Sequence, residues 1–400
     1  MKAQESVQSG SPWTKEMIVA LTATFLIYSN ISVFFHFYAY LQTLPIDPSW
    51  YGILIAAFSA VPLVVRPIVS PFLHPGNSYR FLYLGTVLLM ASLALYTLAS
   101  SDWSMLMTRC LHGFSFALAG AALMTVMVQF IPRERSAQVF GLISVIVLIP
   151  NTLVPPLLPL LSRTLGGFPG VLIFFALVTG LVFPLLFKTR PKAGTGTGSI
   201  SSALSRKEIS EDLQNPVVFC LLLAMLLLYS GHALVFFFLD GFGKHLGIAE
   251  TGFFLTLSTA GEIGVRVLAG SFFDRANKTR LMLAVMIGLA GCYSALADTE
   301  GRISFFAAGL LLGIGWGVAM PVFNALLLEV SGPRLRAFNT NLGFQMFQAG
   351  FFFGPFIGAP IVARWGFGQL FEICAYLSIA SAALVFAVKG KIAEVLPQRR

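Results

Sequence analysis

Two stretches about 200 residues apart decide the fold: residues 66–80 read RPIVSPFLHPGNSYR, and residues 266–280 read RVLAGSFFDRANKTR. They share residues in register, and further matches lie on either side. The repeated positions are Tyr28 and Tyr229, Ser29 and Ser230, Gly52 and Gly252, Arg66 and Arg266, Phe72 and Phe272, Arg80 and Arg280, and the turns at 132–135 and 333–336. The offset is 200 or 201 residues in every case, and such self-similarity indicates a duplicated architecture. The sequence therefore predicts two homologous halves that run in the same direction.

The composition places both halves in a membrane. Hydrophobic residues make up 56% of the chain and charged residues 11%, and the mean hydropathy is +0.82. In soluble domains about a quarter of the residues are charged. We therefore expect an integral membrane protein that is surrounded by the lipid bilayer.

Span counting predicts twelve transmembrane helices, because a bilayer core of about 30 Å needs roughly 20 apolar residues per helix. The predicted spans are 16–41, 50–73, 79–99, 103–130, 136–161, 168–188, 216–242, 248–274, 279–297, 302–330, 334–361 and 366–389. The apolar part of the first span is too long for a signal peptide, whose apolar core has about 7–15 residues. The expected architecture is all-α, with a six-helix bundle at 1–188, a flexible linker at 189–215 and a second six-helix bundle at 216–400.

The distribution of Lys and Arg predicts the orientation. Most of them fall on the side that holds both termini and the linker, whereas the opposite side holds Arg163, Lys244, Arg302 and Arg364. We expect both termini in the cytoplasm and a multi-pass position in a cell membrane. The net charge of +9 then reflects topology, so no nucleic-acid partner is expected.

Sequence signatures of disulfides, metal sites, phosphate-binding loops and enzymes are not found in this sequence. The four cysteines lie in apolar stretches without a CxxC pair, which favours small core residues over disulfides or a metal site. The glycines at 194–198 precede no Gly-Lys-Ser/Thr, so a phosphate-binding loop is not indicated. A membrane enzyme would show clustered ligands such as HExxH, and none occurs. We expect no cofactor and no enzymatic activity.

The loop after the eighth span resembles the signature of the major facilitator superfamily, Gly-x-x-x-Asp-Arg-x-Gly-Arg-Arg/Lys. Gly270, Asp274, Arg275 and Lys278 fit it, while Asn277 replaces the second glycine. The resemblance implies that these four residues form a cytoplasmic gate, in which the Asp274 carboxylate meets the positive amino end of the helix that begins near Ser136. The equivalent first-half stretch, 70–76, lacks both the aspartate and the following arginine.

The fourth span gives a second resemblance. Its Arg109-Cys-Leu-His112-Gly113 opening, followed by small residues, is similar to the drug and metabolite efflux branches of that superfamily. Charged groups inside a membrane are costly and normally face a cavity or a partner. Arg109 is therefore expected to bind an anion or to pair with a carboxylate. His112, on the same helix face, is either a hydrogen-bonded packing residue or a group that relays protons or contacts the ligand.

Glu262 is the sharpest candidate for coupling transport to protons. It lies twelve residues before Asp274, which corresponds to about 18 Å along a helix and so to the middle of the membrane. A carboxyl group there can gain and lose a proton as its surroundings change. Arg266, four residues on, lies on the same face, so a purely structural ion pair is the alternative.

Further cavity candidates come from the resemblance, which implies that the first and seventh spans line the cavity. They offer Tyr28, Asn30, His36, Tyr229 and His232. The tenth and eleventh spans add Asn324, Asn341 and Gln345, for which interhelical hydrogen bonding is the alternative. Aromatic walls with a few polar points suit an amphipathic organic solute.

Together these features predict a secondary active transporter, a monomer in a bacterial inner membrane, that works by alternating access. The leading hypothesis is proton-coupled export of a small organic molecule, a drug-like compound or a secreted metabolite, in exchange for protons as an antiporter. The alternative is an uptake permease, symporter or uniporter, for a sugar, an organic acid or another small metabolite.

Overall fold

The computed structural model describes residues 14–47, 50–187, 203–248 and 251–395, which form helices and turns and, within these ranges, no strand. The first half contains α1 (Lys15–Ser32), α2 (Phe37–Leu41), α3 (Tyr51–Val69), α4 (Ser78–Leu95), α5 (Asp102–Val128), α6 (Ser136–Thr164), α7 (Phe168–Gly180) and α8 (Val182–Phe187). The rest contains α9 (Arg206–Gln214), α10 (Pro216–His245), α11 (Gly252–Arg275), α12 (Lys278–Ala297), α13 (Arg302–Val330) and α14 (Arg336–Val395).

Each of the twelve predicted spans coincides with a helical stretch. Among the described residues, nine of these stretches are long and apolar enough to cross a bilayer. Of the other three, the first is interrupted by a 3-10 turn at Val33–His36. The fifth has a shorter apolar part, Ser136–Pro150. The eleventh is the amino-terminal part of α14.

The last two predicted spans are two helices that meet at a kink inside α14, without a loop of several residues between them. A single residue, Gly366, departs from helical geometry, with φ 81° and ψ 179°. A positive φ is accessible to glycine without the penalty that a Cβ imposes. The chain therefore changes direction at one glycine rather than over several loop residues.

The predicted flexible linker is wrong in part, because residues 206–214 form helix α9. Charged side chains of this exposed segment form ion pairs, among them the i,i+4 pair of Lys207 and Glu211. Glu208 Oε1 lies 3.2 Å from Arg334 Nε, which ties α9 to the turn before α14. Residues 189–202 lie outside the described part of the chain.

By their internal contacts the residues divide into two units. The first unit comprises Met1–Pro132 and Ile143–Ser205, and the second comprises Arg133–Leu142 and Arg206–Arg400. The start of α6 therefore groups with the second unit. The predicted limits of the two bundles and the linker stay a prediction.

The sequence repeat is also a repeat of helix packing. In the first unit α5 packs against α3 and α4, and α4 packs against α7. In the second unit α13 packs against α11 and α12, and α12 packs against α14. These are equivalent pairs at the repeat offset, so the duplication found in the sequence extends to the arrangement of helices within each unit.

One close contact shows the repeat at atomic detail. A Cβ on Gly113 of α5 would lie 2.8 Å from the Phe58 carbonyl oxygen of α3. At the same offset, a Cβ on Gly313 of α13 would overlap the Ser258 carbonyl of α11. In α3 the carbonyl of Phe58 also lacks its helical donor, because Pro62 has no N–H. Both helix pairs thus approach closely only because a glycine is present.

Replacing Gly113 by Val is expected to lower the free energy of unfolding by about 1–3 kcal/mol, because overpacking forces backbone shifts. The thermal unfolding midpoint of the purified protein in detergent measures the effect. Gly288→Val is the matched control, since nothing lies within 4 Å of a Cβ at that exposed position. Equal midpoints for the two variants would contradict the close approach of α3 and α5.

Candidate functional site

The second unit holds a buried ion pair at the position that the sequence singles out. Arg266 Nη2 lies 3.1 Å from Glu262 Oε2, and the two side chains are 1% and 11% exposed. Arg266 also donates to the backbone carbonyls of Gly317 and Trp316, at 3.3 and 3.4 Å. The pairing predicted from the i,i+4 spacing is therefore present, and Arg266 connects α11 to α13 as well.

Aromatic side chains in the same unit cluster around Trp316. Its ring stacks with Tyr229 at a centroid distance of 5.9 Å and lies 4.3 Å from the ring of His232. The Trp316 indole N–H donates to the Tyr293 hydroxyl at 3.0 Å. The candidates Tyr229 and His232 of α10 thus share one aromatic residue, whose backbone carbonyl also binds Arg266.

The amide candidates of α13 and α14 are buried, and two of them bond within their own helix. Asn324 Nδ2 donates to the Met320 carbonyl at 2.8 Å, and Asn341 Nδ2 donates to the Ala337 carbonyl at 3.0 Å. Gln345 is 3% exposed. A Cβ on Gly343 would lie 3.1 Å from Asn324 Oδ1, so α14 packs directly over this amide.

The first unit contains a directed chain of hydrogen bonds. Arg109 Nη1 donates to the Tyr96 hydroxyl at 3.3 Å, and that hydroxyl lies 3.2 Å from His112 Nδ1. His112 Nε2 lies 2.8 Å from Asn30 Oδ1. Because Asn30 Oδ1 can only accept, His112 carries its proton on Nε2 and donates to Asn30, and the Nδ1 of the neutral ring accepts from the Tyr96 hydroxyl. The neutral tautomer is therefore the one that satisfies every bond.

Arg109 pairs with backbone carbonyls and aromatic faces instead of a carboxylate. Its Nε and Nη2 donate to the carbonyls of Leu54 and Ile55, at 2.8 and 3.2 Å. Its guanidinium carbon lies 4.4 Å from the Phe37 ring centroid, and Phe34 and Phe58 are at 5.0 and 5.1 Å. Such contacts stabilise a desolvated cation. Of the two predicted partners, the carboxylate is wrong for the part of the chain that the structure describes.

Replacing Tyr96 by Phe is expected to reduce stability by about 1–3 kcal/mol, because Arg109 loses an acceptor and His112 loses a donor inside the membrane. Thermal unfolding in detergent measures the loss. Tyr40→Phe serves as control, since the Tyr40 hydroxyl makes only a 3.5 Å contact with the Tyr96 carbonyl. A midpoint for Tyr96→Phe that matches the control would refute the directed chain.

Tyr28 and Arg66 form a second polar contact in the first unit, at positions that repeat as Tyr229 and Arg266. The Arg66 guanidinium bonds to the Tyr28 hydroxyl and lies over Gly120, where a Cβ would be 2.7 Å from Arg66 Nη2. Arg66 is 4% exposed. The His36 side chain lies outside the described part of the structure.

The predicted gate loop holds the amino end of α6. Asp274 Oδ1 and Oδ2 accept from the backbone N–H groups of Ala137 and Gln138, at 2.9 and 3.0 Å. These free N–H groups and the helix dipole both favour a carboxylate at this point. The contact between Asp274 and the helix that begins at Ser136, which the family resemblance implies, is therefore present.

Lys278 continues this network and brings in a residue that the sequence did not single out. Lys278 Nζ lies 3.0 Å from Glu329 Oε1 and 3.8 Å from Asp274 Oδ1. Ser136 Oγ donates to Glu329 Oε1 at 2.6 Å. In the sequence, Glu329 is recognisable as a single acidic residue at the end of the tenth predicted span. All four side chains belong to the second unit.

The other two gate residues contribute less than predicted. Arg275 is exposed, and no ion pair of its side chain is found among the described residues. A Cβ on Gly270 would lie 3.6 Å from the Gln138 side chain, an ordinary contact distance. A glycine is therefore not required there for close packing, because an alanine would fit.

Comparison with known proteins identifies the family. The sequence model of the Major Facilitator Superfamily matches residues 17–355, so the chain belongs to the Major Facilitator Superfamily. It is therefore a multi-pass membrane transporter with an all-α fold of twelve transmembrane helices.

Curated relatives and solved structures agree with this assignment. Multidrug resistance protein MdtG of Rahnella sp. (strain Y9602) is 24% identical over 393 residues, which are 92% of each chain. MdtG of Escherichia coli (strain K12 / DH10B) is 24% identical over 389 residues, 92% of this chain and 93% of its own.

Two solved structures have the same fold. The human organic anion transporter MFSD10 aligns with a TM-score of 0.71 at 13% identity, over 93% of this chain and 99% of its own. The proton:xylose symporter XylE also aligns with a TM-score of 0.71, at 14% identity, over 93% and 95%. At these identities the likeness concerns the fold alone.

Proposed function

We propose that this transporter exports a small amphipathic organic molecule from the cytoplasm in exchange for protons, by alternating access. The observation that carries the proposal is the Glu262–Arg266 pair, a carboxylate that can take up a proton, 3.1 Å from its cation and buried in a transmembrane helix. A buried ion pair contributes little net stability. Its place in the middle of a span is better explained by a role in the transport cycle.

Protonation of Glu262 changes the hydrogen bonds that Arg266 makes. With Glu262 ionised, the contact at 3.1 Å is a charge-assisted hydrogen bond. With Glu262 neutral, the attraction weakens, and the carbonyls of Trp316 and Gly317 become the main acceptors of Arg266. One proton thereby shifts the balance of bonds between α11 and α13, which is how binding of an ion can bias a conformational change.

The surroundings of this pair suit an amphipathic solute. Tyr229, His232 and Trp316 provide aromatic faces with polar edges, a combination that binds organic molecules through both area and hydrogen bonds. Asn324, Asn341 and Gln345 add amides in the same unit. Tyr28, Asn30, Arg109 and His112 are the proposed counterparts in the first unit.

The proposed direction of transport is supported by the names of two relatives. Both MdtG proteins carry the name multidrug resistance protein, which supports export for a chain that aligns with them over nearly its whole length. We place the protein as a monomer in a bacterial inner membrane, with both termini in the cytoplasm. Asp274 and Lys278, with Gly270 and Arg275 beside them, would form the cytoplasmic gate, which holds the amino end of α6 and releases it once per cycle.

The experiment is a proton-flux assay with purified protein in proteoliposomes. An internal pH dye follows proton movement while a gradient is imposed and a panel of drug-like compounds, sugars and organic acids is added singly. Proton movement opposite to the solute is the expected result. Movement of proton and solute in the same direction would instead establish a symporter, and solute movement without protons would leave a uniporter or a transporter coupled to another ion.

A further inference from the structure

The two repeat-equivalent arginines differ in how their charge is compensated. In the second unit Arg266 faces the Glu262 carboxylate at 3.1 Å. In the first unit position 62 is a proline, and the Arg66 guanidinium meets a phenol, Tyr28. A neutral hydroxyl accepts a hydrogen bond but does not compensate a positive charge. The first unit therefore contains a buried cation, Arg66, that faces no carboxylate. The equivalent cation of the second unit, Arg266, is neutralised by Glu262.

The sequence around Arg66 provides no other counter-ion. Between Met17 and Glu134 the carboxylic residues are Asp47 and Asp102, of which Asp47 lies in a loop and Asp102 begins α5. From residue 135 to residue 207 there is none. No ion pair of Arg66 occurs within the described residues, although its side chain is almost fully buried, at 4% exposure. A charge buried in a membrane protein normally pairs with another charge or with backbone carbonyls, or it marks the path of a substrate or an ion.

Hydrogen-bond donors without partners also indicate a ligand site in the first unit. Arg66 Nε has no partner among the described residues, and neither has Asn30 Nδ2. Both atoms are donors. The Asn30 amide is the end of the directed chain from Arg109, and because His112 donates to its Oδ1, its Nδ2 must face away from that ring. The first unit thus presents unsatisfied donors, which a ligand rich in acceptors would satisfy.

The Arg66 guanidinium keeps one donor, Nε, without a partner among the described residues. It lies against Gly120 of α5, where any larger residue would collide with Nη2. Arg109, by contrast, is held by two carbonyls and three aromatic rings. Arg266 also leaves Nη1 without a partner, but its charge is already paired. Of the three arginines that are buried within the described ranges, Arg66 is the one for which neither a carboxylate nor a backbone carbonyl is found beside the guanidinium.

From these contacts we infer that Arg66, assisted by Tyr28, binds an anionic group of the transported solute, so that the cargo is an amphipathic organic anion with a carboxylate, phosphonate or sulfonate. This inference rests on the proposed function and narrows its substrate class. A planar guanidinium binds such oxyanions through paired N–H donors. An inside-negative membrane potential also drives an anion outward, which agrees with export.

The test combines binding with stability in the purified full-length protein. Thermal unfolding in detergent is followed with phenylbutyrate and benzylphosphonate as anionic probes, phenylbutanamide as the neutral probe and phenylbutylamine as the cationic probe. The anions are expected to raise the midpoint because a ligand stabilises the folded state that binds it, and the other two probes are not. Anionic phospholipid is added separately, so that recognition of a lipid headgroup is distinguished from recognition of a solute.

Arg66→Gln and its repeat equivalent Arg266→Gln form the matched pair. Without probe, Arg66→Gln is expected to keep or raise the midpoint, since it removes an uncompensated charge, while Arg266→Gln lowers it by leaving Glu262 unpaired. Arg66→Gln then loses the anion-dependent shift, and Arg66→Lys keeps part of it, because the charge remains but the paired donors do not.

Three results would overturn the inference: equal stabilisation by the amide and the amine, stabilisation by the anionic lipid alone, or a midpoint for Arg66→Gln that falls as far as that of Arg266→Gln. A different result would reject the proposed function and keep the anion site. Anions would then bind through Arg66 while no solute drives proton movement in proteoliposomes. Conversely, proton-coupled movement of neutral or cationic solutes alone would keep the function and reject the anion site.

Discussion

Replacing Glu262 by Gln is expected to reduce solute-driven proton movement in proteoliposomes to the level of protein-free liposomes. Glutamine keeps the size of the side chain and an oxygen that can accept from Arg266, but it cannot take up or release a proton at physiological pH. Among the described residues of α11, Glu262 is the acid away from the carboxyl-terminal end, where Asp274 lies. The same pH dye that measures transport by the wild type measures the loss.

A double variant separates the coupling role from the structural one. Glu262→Gln alone leaves Arg266 with a neutral partner, which is expected to cost about 1–3 kcal/mol. Adding Arg266→Gln replaces both charges and should restore much of that stability. If proton movement also returned in the double variant, Glu262 would be only a structural partner of Arg266. Continued absence of proton movement in a stable double variant is the expected result.

The second large effect is expected from Asp274→Ala, which should lower the free energy of unfolding by about 3 kcal/mol. The change removes the acceptor of two backbone N–H groups of α6, a loss comparable to that of a helix cap. It also removes one of the two carboxylates next to buried Lys278, and breaking a buried charge network is costly. Thermal or denaturant unfolding in detergent measures the difference.

Neighbouring variants control this prediction. Arg275→Ala, one residue away and exposed, should leave the unfolding midpoint within the range of ordinary surface substitutions, about 0.5 kcal/mol. Asp274→Asn keeps one acceptor oxygen and should fall between alanine and the wild type. An alanine variant no less stable than the Arg275 variant would show that the contact with α6 does not stabilise the protein.

The features predictable from the sequence are those that depend on local or periodic patterns. The twelve spans follow from runs of apolar residues, and the Glu262–Arg266 pair follows from four-residue spacing on a single helix. The contact of Asp274 with α6 was accessible only through a family resemblance, since its partners are backbone N–H groups more than 130 residues away. Backbone groups leave no signature in a sequence.

The features that escaped prediction depend on contacts between helices. The carbonyls that bind Arg109 belong to Leu54 and Ile55, whose side chains carry no information about that bond. Trp316 and Tyr293 read as ordinary apolar residues until α12 and α13 are packed together. Helix α9 was missed because its segment is polar, and its contact with Arg334 joins it to a turn that is distant in sequence. In each case tertiary packing supplies what local propensity lacks.

The proton-coupling role of Glu262 is tested most directly by comparing two transport modes of one variant. Counterflow exchanges labelled for unlabelled solute and needs no net proton movement, whereas accumulation driven by a pH gradient does. With a solute that the wild type moves, Glu262→Gln is predicted to retain counterflow and to lose gradient-driven accumulation. Accumulation by Glu262→Gln at the wild-type rate would contradict the assignment of the proton to Glu262.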